Sequence, residues 1–219
     1  QQRWYGGETI SLGIGQGYNA FTMLQLANAT GIVANGGIYN KPRLVMATQD
    51  PIQRVDRGVM SESPVNLGFK PENVAVIKQG LIGVAKEGTS ARVFAGAPYQ
   101  SAGKTGTAQA VTIGQKEKYN ASKLDEHQRD HALYMAFAPA DNPQIALAIV
   151  VENAGFGAAQ AAPIARRVFD YWLQGDYPSM EDIEASQKGM ASTPLGVRRR
   201  KADIQLIPSE GVTGLMGNR

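Results

Sequence analysis

The sequence predicts an α+β fold, an antiparallel sheet covered by helices, and three observations carry that prediction. First, His131–Ala138 and Ile145–Val151 each alternate apolar residues, and Pro139-Ala140-Asp141-Asn142-Pro143 between them is turn chemistry. Two such runs around a short loop make an antiparallel hairpin. Second, a small-residue segment at 99–111 reads as a strand ahead of that hairpin. Third, Ala161, Ile164, Ala165, Val168, Phe169 and Trp172 recur at helical spacing over 160–174. A helix that follows an antiparallel run packs on one face of its sheet.

The other elements follow from local signals. Thr9-Ile10-Ser11-Leu12 is expected to be a short extended piece between two glycine clusters. The second cluster, Gly13-Ile14-Gly15-Gln16-Gly17, lacks the G-x-G-x-x-G spacing of a dinucleotide site and predicts a tight turn before a helix. Asn19 or Thr22 caps that helix, and Asn35-Gly36-Gly37 ends it. Phe21, Leu24 and Ala27, with Met23, Leu26 and Val33, supply its apolar side. Tyr39–Met46 reads as extended, with Pro42 at an edge or bend, and 50–70 as loop with short strands. Pro71 opens the next helix, where Val74, Ile77, Leu81 and Val84 predict one buried stripe, and Gly88 closes it. Residues 112–130 are expected to form a long surface loop, and Gly175 stops the last helix. From 177 the composition turns to Ser, Pro, Gly and charge. The expected division is therefore a folded unit at 1–176 and a polar, disordered tail at 177–219.

The 219 residues suffice for one domain with a real core, at 43% hydrophobic and 19% charged. No apolar run approaches the roughly 18 to 20 residues of a membrane span. Gln1-Gln2-Arg3-Trp4-Tyr5 is not a leader peptide, and a start without methionine suggests a piece of something longer. With no cysteine, disulfides and thiol catalysis are out; that composition suits the periplasm without requiring it. Net charge is only +3, and Arg198-Arg199-Arg200-Lys201 is read as a solvated run, so no nucleic-acid partner is expected.

Chemistry concentrates in Ser101-Ala102-Gly103-Lys104-Thr105-Gly106-Thr107-Ala108-Gln109. A lysine and two hydroxyls on a path of small residues can grip a carboxylate or phosphate while another chain lies against the backbone. A phosphate-binding P-loop needs glycine where Pro98 stands, and no helical pattern follows. Lys104-Thr105-Gly106 instead matches the Lys-Thr-Gly element of serine acyl-transfer enzymes. The plainer alternative is a strand with a solvated lysine. Alternation puts Lys104 and Thr105 on opposite faces, so both serve one cleft only from an edge strand. His127 and His131 are read as solvated or locally bonded rather than metal ligands, Arg166-Arg167 as the wet face of the last helix, and Glu152-Asn153 as a turn or packing pair. No metal and no cofactor are expected.

Several stretches together resemble the class B penicillin-binding transpeptidases. They are Gly13–Gly17 with Thr22 and Gln25-Leu26-Ala27, then Ala102–Gln109. Tyr119-Asn120, Arg129-Asp130-His131, Ala136–Pro139, Asn142-Pro143-Gln144 and Glu152-Asn153 resemble the cell-elongation branch of that family. The resemblance runs from about residue 4 to 176. It implies part of a penicillin-binding/serine β-lactamase-like transpeptidase domain. It also implies acyl transfer on peptidoglycan stem peptides ending in D-Ala-D-Ala, with β-lactams as mimics of that end. In that scheme Lys104 places charge near the substrate carboxylate, and the hydroxyls of Thr105 and Thr107 bond it. Gly106 keeps the edge open, and the Thr107 N–H is half of the oxyanion hole. The resemblance further implies the periplasmic face of the bacterial inner membrane, with the anchor outside this chain. The implied partners are the earlier part of the domain and the cell-elongation machinery. The family's Ser-x-x-Lys nucleophile and Ser-x-Asn motifs are expected upstream of Gln1 and absent here. The alternative implied is a catalytically inert fragment or partner module that keeps only the substrate-binding strand. A stand-alone serine β-lactamase relative would need the same serine.

Overall fold

The computed structural model describes residues 3–110, 120, 124–190 and 192–204. Most of the expected 112–130 loop, and the end of the tail, therefore lie outside the described residues.

Helix α1 spans Gly6–Gly13, where an extended piece was expected. The glycine cluster explains it. Gly15 takes φ +80°, its N–H bonds the Leu12 carbonyl, and the Gln16 N–H bonds the Ser11 carbonyl. That is a Schellman stop, so the glycines end a helix as well as turning the chain. Helix α2, Met23–Ala34, is capped by Thr22, whose hydroxyl accepts from the Gln25 N–H while the Gln25 side chain accepts from the Thr22 N–H. Gly36 and Gly37 close it as expected. Two short antiparallel pairs come next, β1 (Ile38–Tyr39) with β4 (Val65–Asn66), enclosing β2 (Ala47–Gln49) with β3 (Asp56–Gly58). Helix α3, Pro71–Lys86, has proline in its first turn. Its stripe is narrower than expected. Val74 and Ala85 are buried, Leu81 and Val84 are half-buried, and Ile77 is exposed. A one-turn helix, α4 (Ala91–Phe94), leads toward the sheet.

That sheet has three antiparallel strands in the order β5 (Ala102–Ala108), β6 (His131–Ala138), β7 (Ile145–Val151). The register sets Lys104 opposite Met135 and Thr105 opposite Tyr134, and β6 against β7 pairs Tyr134 with Ile149 and Phe137 with Ala146. The two apolar stripes read from the sequence thus face opposite ways. Ile145, Leu147, Ile149 and Val151 join Ala132, Tyr134, Ala136 and Ala138 on one face. Phe137 joins Ala102 and Ala146 on the other. Both faces are covered, which is why these strands are apolar throughout.

Helix α5, Gly157–Gln174, closes the first face with Ala161, Ala162, Ala165 and Phe169, all fully buried. Ile164, Val168 and Trp172, expected on its inner stripe, are partly exposed. On the other face α2 covers β7 and β6 but does not reach β5, and α3 lies against β5.

Arg166 and Arg167 are not the wet face of α5. Arg166 is 1% exposed and paired with Asp170, and it donates to the Val93 and Ala95 carbonyls. Arg167 forms a two-pronged pair with Asp182. Arg166 is buried under α4 and the segment that follows it, and Arg167 is held by the chain beyond α5. Residues 177–204, expected as disordered tail, carry helix α6 (Met180–Gln187), N-capped by Ser179. They also carry a backbone bridge between Tyr177 and Arg199. Nor is the basic run freely solvated. Arg198 and Arg200 pair with Asp176, and the Arg199 side chain donates to the Pro178 carbonyl. Composition alone misses this because the charges that suggest disorder are matched in space.

Candidate active site

Among the described residues β5 is an edge strand of the three-stranded sheet, the condition under which Lys104 and Thr105 can serve one cleft. Register assigns Lys104 and Gly106 to the α2 face, and Thr105 and Thr107 to the α5 face. All four line a cleft of about 440 Å³, together with Gln16, Phe21, Leu26 and His131. The cleft exists because α2 stops short of β5 while the Gly13–Gly17 turn reaches across to it.

That reach is a specific bond. Gln16 Nε2 donates to the Thr107 carbonyl at 2.7 Å, and Lys104 Nζ donates to the Thr105 carbonyl at 2.8 Å. In an antiparallel strand the N–H and C=O of one residue point to the same side. The main chain of Thr105 and Thr107 therefore faces away from β6, along the open edge. The Thr107 N–H lies on that edge too. A carboxylate or developing oxyanion beside it meets a lysine, a hydroxyl and a backbone donor.

The Thr105 hydroxyl is 2.9 Å from the Thr89 hydroxyl at the end of α3. Thr89 carries no motif, so only the fold reveals the pair. Behind the strand, backbones approach closely. A Cβ on Gly157 would stand 2.1 Å from the Leu133 carbonyl oxygen, and one on Gly103 would stand 2.5 Å from the Tyr134 hydroxyl. Tyr134 is buried and bonds Ser90 Oγ at 3.0 Å; burial pushes its phenol up to about 12.

His131 sits at the start of β6, its Nδ1 accepting from the Asn153 N–H at 2.9 Å. Asn153, at φ +56°, also donates from its side chain to the Arg129 carbonyl. These are the local bonding and turn roles expected of them. Among the described residues no cluster of His, Cys, Asp or Glu is arranged to hold a metal.

One expectation about the sequence needs correcting. The Ser-x-x-Lys spacing does occur, at Ser101-Ala102-Gly103-Lys104, overlapping the Lys-Thr-Gly motif. On an extended strand, residues three apart point to opposite faces. Ser101 is 3% exposed, and its Oγ has no hydrogen-bond partner among the described residues. The two side chains that the spacing links are thus held apart.

Comparison with known proteins bears on this cleft. Residues 1–170 match the penicillin binding protein transpeptidase domain. The peptidoglycan D,D-transpeptidase MrdA of Haemophilus influenzae is 41% identical over 182 residues, covering 81% of this chain and 28% of that protein. Among solved structures, Pseudomonas aeruginosa PBP2 in complex with WCK 5153 aligns with a TM-score of 0.62 at 37% identity, over 79% of this chain and 34% of that one. The imipenem acyl-enzyme complex of Mycobacterium tuberculosis penicillin-binding protein A aligns at 0.60 and 32% identity, over 75% and 33%. The chain thus spans about a third or less of the length of each of these three proteins. A strand motif, a covered antiparallel sheet and a match over most of the chain agree: it belongs to the penicillin-binding protein transpeptidase family and is similar to penicillin-binding protein 2.

Proposed function

We propose that this chain supplies the Lys-Thr-Gly wall of a peptidoglycan D,D-transpeptidase site, as the C-terminal part of its domain, with the serine nucleophile held outside residues 1–219. The observation that carries this is the edge geometry of β5, where Lys104 and the main chain of Thr107 border one cleft. The serine attacks the carbonyl of the penultimate D-alanine, the terminal D-alanine leaves, and an acyl-enzyme forms. The amine of a neighbouring stem peptide then takes the acyl group. Lys104 leaves the Thr105 carbonyl and offers its charge to the substrate carboxylate, which the Thr105 and Thr107 hydroxyls also bond. The Thr107 N–H is half of the oxyanion hole. Gly106 lets the substrate lie along the edge as an added strand.

Ser101 is a poor nucleophile by comparison. It is buried, and Lys104 faces away from it. The family assignment and the acyl-enzyme of the mycobacterial relative support covalent capture of β-lactams. By the same likeness, the site works at the periplasmic face of the inner membrane with the cell-elongation machinery. Among the described residues no helix is long and apolar enough to cross a membrane, so the proposed anchor lies outside them.

Labelling with a fluorescent penicillin tests this on two proteins. One is the 219-residue chain. The other is a chimera in which the part of Haemophilus influenzae MrdA that precedes its matched segment is fused ahead of Trp4. We expect covalent label only on the chimera, and a loss of about 10²-fold in labelling rate with Lys104→Ala, the scale of removing one transition-state contact. A folded chimera that takes no label would sink the assignment. Label on the short chain that disappears with Ser101→Ala would move the nucleophile to Ser101.

A further inference from the structure

The transpeptidase family model ends at Asp170, and residues 177–204 lie beyond it. They are nonetheless bonded to the segment that feeds the motif strand. We propose that this strap is a positioning element for β5, with Arg198 acting through Asp170 on residues 93–100.

Asp170 is the hub, and it is 4% exposed. Its carboxylate accepts from Tyr99 Oη at 2.7 Å and from Arg166 Nε at 2.9 and 3.0 Å. Arg198 approaches its other side at 3.6 Å. Arg166 also donates to the Val93 carbonyl at 3.0 Å and the Ala95 carbonyl at 3.2 Å. One carboxylate thus orients both groups that grip the approach to β5. The strap adds a direct contact, since the Thr193 hydroxyl donates to the Arg92 carbonyl at 2.9 Å. At the far end of the approach, the Gln100 carbonyl accepts from the Ala140 N–H of the hairpin turn. The approach to Ser101 and Lys104 is therefore held by the strap, by α5 and by the hairpin.

Arg198 is itself fixed. It donates to Asp176 at 2.9 Å, and Arg200 pairs with the same carboxylate at 2.6 Å while also donating to the Gln174 carbonyl. Arg198 stands between two buried carboxylates, Asp170 and Asp176. Without it, Asp170 loses the cation that the strap supplies and keeps Arg166 as its charge partner. The consequence falls on Tyr99 and Arg166, and through them on β5. As a role in catalysis this rests on the transpeptidase assignment; as a mechanical link it does not.

Two measurements separate those levels. The first is hydrogen exchange on the 219-residue chain, comparing the unsubstituted protein with Arg198→Ala and Arg198→Lys, and with Lys41→Ala as a control, since Lys41 pairs with Glu62 at the surface. Arg198→Ala is expected to speed exchange across 93–108 by about tenfold through local opening. β7 should be unchanged, Arg198→Lys should recover most of the protection, and Lys41→Ala should do nothing. Unchanged exchange at 93–108, or an equal rise across β7, overturns the link. The second is penicillin labelling of the chimera, with the acylation rate constant separated from penicillin affinity. The expected result is a slower acylation step at unchanged affinity in Arg198→Ala, restored by Arg198→Lys. Looser exchange with unaltered acylation overturns the positioning role. A chimera that never labels sinks the transpeptidase assignment and leaves the strap to be decided by the exchange result.

Discussion

The two faces of the sheet are built to opposite ends. On the α5 face, Ala132, Ala136 and Ala138 meet Ala161, Ala162 and Ala165, all at 0% exposure. Small side chains on both partners let the helix settle onto the strands, and Gly157 brings it against the backbone of Gly106 and Leu133. On β6 the larger residues, Leu133, Met135 and Phe137, point to the α2 face, yet that face is the open one, because α2 lies over β7 and β6 and leaves the end of β5 uncovered. The cleft therefore arises from helix placement and not from a scarcity of apolar residues. A rigid back lets an edge strand present polar groups at the front without moving.

Three substitutions or titrations can break that contrast. The largest effect is expected from Gly157→Ala. Its Cβ would sit 2.1 Å from a carbonyl oxygen that cannot move aside, so we expect a loss of about 3 kcal/mol or more, read from denaturant unfolding. An unchanged midpoint would mean that the back is not sealed as described. Next comes alkaline pH. Burial holds Tyr134 up to about 12, above the ~10 of an exposed tyrosine. A pKa raised in the folded state stabilises fully below about pH 10 and is lost as pH rises through the folded value. Melting curves should therefore show stability falling between about pH 10 and 12, by at most ~2.7 kcal/mol from this group. Tyr134→Phe should flatten that fall, and an equally steep profile would assign it to other groups. The smallest stability effect belongs to the front. Gln16→Ala removes one hydrogen bond to Thr107 and should cost about 1 kcal/mol or less. Its larger consequence should be in penicillin labelling of the chimera, where the unanchored strand edge lowers the rate by more than the stability loss accounts for.

How much of the molecule is legible in its sequence depends on the kind of interaction. Strands β6 and β7, their turn, the capped α2 and the proline-led α3 all announce themselves locally, through alternation, capping chemistry and backbone constraint. Lys104-Thr105-Gly106 is legible as a motif, and alternation makes an edge position the condition for its use. What the sequence hides is long-range and electrostatic. Arg166 looks like a surface residue until Asp170, Val93 and Ala95 converge on it. The stretch after 176 has the composition of a tail, and long-range pairs give it order, Arg198 and Arg200 with Asp176 and Arg167 with Asp182. Helix α1 is hidden for a different reason: Thr9–Leu12 reads as an extended piece, and the glycine cluster read as a turn before the next helix is the stop signal of this one.

The Gln16–Thr107 bond has a consequence for how the molecule assembles. Its partners are separated by 91 residues, whereas the β6–β7 hairpin closes over a short turn. Contacts between distant residues form slowly because a long loop must close before they are rewarded. On a ribosome the Gly13–Gly17 turn emerges early and must wait, its polar groups solvated, until β5 has been made and β6 has paired with it. The hairpin and α5 can assemble among themselves, but the wall that makes the cleft arrives last. Partly folded chains will therefore hold a formed sheet with an unformed cleft, and competence to bind should lag behind the return of secondary structure.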